Sequence, residues 1–123
     1  MTMGFPIINY KATNTDLDER LQTLLEQKLT SLDKYIGEET DIKCDVEFEK
    51  MSTGHSGQIY RVEVNLWLAG KLYRAEDTLE SFEKAIDEVR SELDKELRRA
   101  NKKKETLIKR GGRAIKEMMQ TGG

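Results

Sequence analysis

Apolar and polar residues alternate strictly in two stretches of the chain. Ile42, Cys44, Val46 and Phe48 interleave with Lys43, Asp45, Glu47 and Glu49; Tyr60, Val62, Val64, Leu66 and Leu68 interleave with Arg61, Glu63, Asn65 and Trp67. Successive side chains of a strand point to opposite faces, so each run predicts a strand covered on one side and wet on the other. Residues 51–57 between them form a polar loop. Ala69-Gly70 predicts a two-residue hairpin into a third strand, about Lys71 to Thr78, whose sidedness the pattern leaves open. Upstream, Phe5 to Ala12 is short and rich in Ile, Phe and Tyr, which predicts a first strand with Pro6 at its start.

The period changes in two other places. Leu17, Leu21, Leu25, Leu29, Leu32 and Ile36 follow at three- and four-residue steps, with Asn14-Thr15-Asp16 supplying caps, Asp16 and Glu19 at capping-box spacing and Gly37 as the stop. Phe82, Ile86, Val89, Leu93, Leu97 and Ala100 line one stripe of a long second helix that starts near Thr78 to Ser81. Two amphipathic helices and a sheet with one polar face are satisfied together when both helices cover the sheet's apolar face. The expectation is an α+β fold of order β-α-β-β-β-α, with a three-strand antiparallel meander and a first strand that can pair in parallel through its helical crossover.

Length and composition narrow the possibilities. At 123 residues, 37% hydrophobic and 36% charged, one domain is expected, placed at residues 1–105, with a basic and flexible tail at 106–123. No run approaches the roughly 18 apolar residues of a membrane helix. The opening residues lack a basic, apolar leader, so the expected location is the cytoplasm. Cys44 is the sole cysteine and His55 the sole histidine, leaving no basis for an internal disulfide, a metal cluster or a nucleophile relay. No cofactor, metal or small-molecule substrate is expected.

Charge adds what the overall value of −2 conceals. Between Lys95 and Lys116 stand ten basic and two acidic residues, a net +8, which leaves −10 for the rest of the chain. On a helical wheel Lys95, Arg98, Arg99 and Lys102 fall opposite the apolar stripe, at spacing i, i+3, i+4, i+7, with Lys103 beside them. Like charges so placed repel, and a phosphate backbone would neutralise them. Lys28, at the margin of the first helix's stripe, and Lys34, on its outer face, extend the ridge if the helices lie side by side. With no aromatic residue interleaved in the ridge, contacts to phosphate and sugar are expected over base stacking.

The remaining candidates have plainer explanations. Cys44 lies on the apolar phase of its strand and predicts a buried small side chain. His55 lies in a Gly/Ser loop without a second ligand type nearby. Trp67 points to the polar face of the sheet. An acid/base pair would have to come from Asp45, Glu47, Glu49 and Glu63, and a solvated face accounts for them better.

Two segments carry a resemblance: Lys28-Leu29-Thr30-Ser31-Leu32-Asp33-Lys34-Tyr35 closing the first helix, and the second helix from Ala85-Ile86-Asp87 to Lys95-Glu96-Leu97-Arg98-Arg99. In this order around three strands the chain, from about Ile7 to Lys104, resembles the ribosome hibernation-promoting factor and ribosome-associated inhibitor (sigma-54 modulation protein) family, in its short form. The resemblance implies a fold like a double-stranded-RNA-binding domain. It implies a non-enzymatic translation inhibitor that docks on the small ribosomal subunit and its 16S rRNA within the 70S ribosome, covers the mRNA and tRNA decoding sites under stress, and is a monomer off the ribosome. Lys28, Lys34, Lys95, Arg99 and Lys102 would be the RNA contacts, with Arg98 added by the wheel. Ser31 and Glu92 depart from the pattern, standing where the family often has lysine. The alternatives are a general structured-RNA binder and a protein-interaction module using the sheet face around Arg61, Glu63 and Trp67.

Overall fold

The computed structural model describes residues 6–53 and 55–110, the side chains of residue 55 and residues 105–110 apart. Its elements are β1 (Ile8–Thr13), α1 (Glu19–Thr30), β2 (Ile42–Lys50), β3 (Tyr60–Leu68), β4 (Lys71–Leu79) and α2 (Phe82–Arg110), with 3-10 turns at Asp33–Tyr35 and His55–Gly57. The strands form one sheet in the order β1-β2-β3-β4, β1 parallel to β2 and the other pairs antiparallel. This is the α+β arrangement that the two periodicities predict.

The core is the contact between the sheet's one apolar face and the two helices. Cys44, Val46 and Phe48 of β2 and Val62, Val64 and Leu66 of β3 are buried against Leu21, Leu25 and Leu29 of α1 and Phe82, Ala85, Ile86, Val89, Leu93 and Leu97 of α2. Phe48 and Phe82 meet edge-on, with ring centroids 5.4 Å apart. Among the described residues no charged or polar residue is buried as a whole, although the Asp77 carboxyl of β4 has one oxygen buried at the margin of this layer. The register settles the sidedness of β4: Ala75 pairs with Val64 and Tyr73 with Leu66, which turns Tyr73, Ala75, Asp77 and Leu79 inward. The sequence pattern missed this because that inward set includes an aspartate and only one small aliphatic residue.

Direction follows from pairing. β1, β2 and β4 all point the same way. α1 and α2 each leave the end of one of these strands and return across the same face, so the two helices run parallel. Four contacts spaced along them show it: Arg20–Glu83 at 3.3 Å, Lys28–Asp87 at 3.1 Å, Arg90 on Ser31 and Tyr35 on Asp94. Both carboxyl ends therefore lie at one end of the sheet.

Four boundaries differ from expectation. β1 begins at Ile8, with Phe5 outside the described residues. The cap of α1 is Asp18, whose Oδ1 accepts from the Arg20 amide at 2.8 Å, in place of Asp16. α1 stops at Thr30; Leu32 and Ile36 keep the apolar period and are buried, but around the 3-10 turn that precedes Gly37 at φ +61°. α2 opens within the expected start, at Ser81, whose Oγ accepts from the Lys84 amide, but runs on to Arg110, beyond Ala100, the last residue of its predicted stripe. Residues 111–123 of the expected tail lie outside the described residues.

Two outcomes test this packing. Leu29→Ala, at a fully buried position, should cost about 2–5 kcal/mol in chemical denaturation. Ala69 sits at φ +53° before Gly70 at φ +81°, the geometry in which Asn-Gly is favoured; Ala69→Asn should stabilise by about 1 kcal/mol in the same assay.

Candidate nucleic-acid interface

The buried stripe of α2 fixes the direction of its opposite side. With Val89, Leu93 and Leu97 turned to the sheet, Lys95, Arg98, Arg99 and Lys102 are exposed on the side away from it, and Lys103 is exposed beside them. Among the described side chains no carboxylate pairs with Lys95, Arg98, Lys102 or Lys103. Arg99 is held by Glu96, Nη1 to Oε1 at 3.3 Å, an i,i+3 contact in water that contributes at most a few tenths of a kcal/mol. The ridge is thus a continuous line of exposed cations over two turns. It lies at the helix's carboxyl half, where positive charge also offsets the dipole.

The two lysines of the α1 side behave differently from each other. Lys34 is exposed on the 3-10 turn beyond α1, with its Nζ 5.2 Å from the centre of the Tyr35 ring. Lys28 is half-buried and paired with Asp87 of α2, which makes it a brace between the helices as well as a cation at the edge of the patch. The sequence showed its position but not this partner, because Asp87 is an outer-face residue of another element.

Two residues that sequence reasoning passed over lie at the margin of the candidate interface. Arg90 lies in the seam, donating from Nε and Nη2 to the Ser31 Oγ at 3.1 and 3.0 Å. It brings a guanidinium to the place where Ser31 stands instead of a lysine. Tyr35 donates its hydroxyl to Asp94 Oδ1 at 3.0 Å, which puts an aromatic ring at the margin of a ridge that has none of its own. Arg90 follows the apolar Val89 on the wheel and reads as a margin position until α1 is known to lie alongside; that neighbour was the missing signal. Glu92, the second departure, is half-buried on the β4 side of α2 and not on the ridge.

The open face of the sheet carries a different arrangement. Arg61 of β3 is surrounded by Glu47 and Glu49 of β2, Glu63 beside it and Glu76 of β4, at 3.4, 3.0, 3.3 and 2.6 Å, and Arg74 pairs with Glu63 and Glu76. Apart from the same-strand pairs Arg61–Glu63 and Arg74–Glu76, these are cross-strand neighbours, the positions where opposite charge stabilises a sheet. The Thr13 hydroxyl donates to Glu47 Oε2 at 2.6 Å and, with Arg61, holds that carboxyl below its ordinary range. An acid/base pair needs two carboxyls pushed apart in pKa; here Glu47 is held ionised, and Glu49 and Glu63 face the same guanidinium. Asp45 accepts from the Asn9 side chain and contacts Lys43, whose Nζ lies 5.1 Å from the Trp67 ring centre. Cys44 is fully buried and its thiol is pushed up by burial to about 12, which removes it as a nucleophile. The His55 side chain lies outside the described residues.

Residues 8–105 match the family model described as sigma 54 modulation protein / S30EA ribosomal protein. Among solved structures, the Thermus thermophilus Protein Y N-terminal domain superposes with a TM-score of 0.60 at 23% identity, covering 79% of this chain and 98% of that one. A ribosomal subunit interface protein from Coxiella burnetii gives 0.61 at 18% identity, covering 76% and 96%. At those identities the likeness is one of fold. No curated protein matches the chain in sequence.

Removing the central cation of the open face should expose what it balances. Arg61→Ala should cost roughly 1–3 kcal/mol at pH 7 in chemical denaturation. The deficit should shrink as pH falls through the carboxylate range, because protonated glutamates no longer repel one another.

Proposed function

The chain belongs to the sigma 54 modulation protein / S30EA ribosomal protein family, and from that premise we propose that it is a ribosome-binding inhibitor of translation that acts without catalysis. The exposed ridge of Lys95, Arg98, Arg99 and Lys102 lies along the ribose-phosphate backbone of the small subunit's 16S rRNA. Lys34, Arg90, Lys103 and the edge residue Lys28 widen the contact. A domain so docked in the 70S ribosome fills the decoding region and excludes mRNA and tRNA by shape and charge, as a hibernation factor does under stress. The protein acts in the cytoplasm and is a monomer off the ribosome; among the described residues no helix is long and apolar enough to cross a membrane.

One observation carries the reading: four cations stand on one exposed side of α2 and only Arg99 has a carboxylate partner among the described side chains. A surface evolved only for solubility intersperses both signs. Phosphate contacts position a protein without reading bases, which suits a partner recognised by its shape. The description of the Coxiella burnetii neighbour as a ribosomal subunit interface protein supports the same partner.

Sedimentation with purified ribosomes tests it. The protein should travel with the small subunit and the 70S ribosome. If four to six phosphates are neutralised, log Kd should rise against log salt with a slope of about 3 to 5. Reversing Lys95, Arg98, Arg99 and Lys102 to Glu together should weaken binding by on the order of 100-fold or more and leave the circular dichroism spectrum unchanged, since these side chains leave the core untouched. Undiminished binding by that folded variant, or equal binding to unrelated duplex RNA in competition, would reject the ribosomal reading in favour of another surface or a general RNA binder.

A further inference from the structure

We propose that Asp77 and Glu92 share one proton across the junction of β4 and α2, and that holding or losing it sets how strongly the adjoining ridge grips RNA, so that binding tightens as pH falls. The RNA half of this inference rests on the function proposed above; the shared proton does not.

Asp77 is an aspartate on the wrong side of its strand. The register of β4 places it opposite Val62, which is fully buried, on the face that meets the helices. Its Oδ2 is buried and has no hydrogen-bond partner. A buried acceptor left unpaired costs free energy, so such atoms are nearly always satisfied. The group that α2 brings to it is the carboxyl of Glu92, which can donate a hydrogen bond only while it is protonated.

The surroundings favour that protonated state. Glu92 faces Asp77 from β4, Glu88 one turn earlier and Lys95 one turn later on its own helix, while the β3 residue opposite Asp77 is the apolar Val62. Burial raises the Glu92 pKa, Asp77 and Glu88 raise it further, and Lys95 opposes them, leaving it at about 7. Two carboxyls this close cannot both ionise cheaply.

Lys95 connects the pair to the ridge. With the proton in place the pair carries one negative charge, and the Lys95 ammonium is free for phosphate. When the proton leaves, the pair carries two charges, and Lys95, three residues from Glu92, is drawn toward them. By linkage, an RNA phosphate at Lys95 must favour the protonated pair, so binding takes up protons near neutral pH. Stability has a matching sign. The folded protein holds a proton that the unfolded chain releases at an ordinary glutamate pKa; this contribution is full below about pH 4.5 and is lost as pH rises to about 7.

Two measurements on the full chain separate the parts. Without RNA, carboxyl NMR should show Glu92 titrating near 7, and the melting temperature should fall by on the order of a few degrees between pH 5 and pH 7.5 in the wild type but not in Glu92→Gln. With purified small subunits, Kd should rise about twofold to threefold from pH 6 to pH 8 in the wild type. That slope should vanish in Glu92→Gln and persist in His55→Gln, which controls for the only histidine. Glu92 titrating in the ordinary carboxylate range, or a Glu92→Gln variant that keeps the wild-type pH slopes, would overturn the proposal. Absence of any ribosome binding at either pH, with the Glu92 titration intact, would refute the functional reading and leave the shared proton standing.

Discussion

The whole molecule depends on a sheet that has a single apolar face. Water cannot be left against Val46, Phe48, Val62, Val64 and Leu66, and among the described residues two helices supply the cover. Because β1, β2 and β4 share a direction, the helices that leave β1 and β4 must return in parallel. Their carboxyl ends, with Lys34 and the basic half of α2, are thereby gathered at one end. The convergence of cations is a product of strand topology, since α1 and the end of α2 are far apart in sequence.

The same constraint governs the opposite face. Polar positions of four adjacent strands are forced into one layer, and β2 and β3 bring the carboxylates of Asp45, Glu47, Glu49 and Glu63 together there. Arg61 and Arg74 turn that crowding into a lattice of cross-strand pairs. The molecule therefore has a self-compensated sheet face and a helix face whose positive charge is left open. A polyanion approaching the two faces would meet repulsion or indifference on one and attraction on the other, which orients the encounter before any close contact forms.

Period-two and period-3.6 patterns made the fold legible because a one-sided layer imposes them directly on the sequence. What stayed hidden required knowledge of a second element. Asp16 and Asp18 are equally good caps by residue type, and only the backbone at Asp18 decides between them. Leu32 and Ile36 extend the helical period although the chain has tightened into a 3-10 turn, since burial rewards spacing and does not record helix type. The ridge was legible as a wheel position of one helix. The Lys28–Asp87 pair and the Arg90–Ser31 seam were not, because they exist only when α1 lies against α2.

The far end of α2 has a geometric consequence. Among its described side chains Leu97 is the last that is buried, Ala100 is half-buried, and Asn101 to Lys104 are exposed, while the helix continues to Arg110. At 1.5 Å per residue the stretch from Asn101 onward extends the rod by about 15 Å. The molecule is therefore a small plate carrying a narrow charged spur. Among the described residues, the reach of the molecule along this axis is set by the length of one helix and not by the girth of its core.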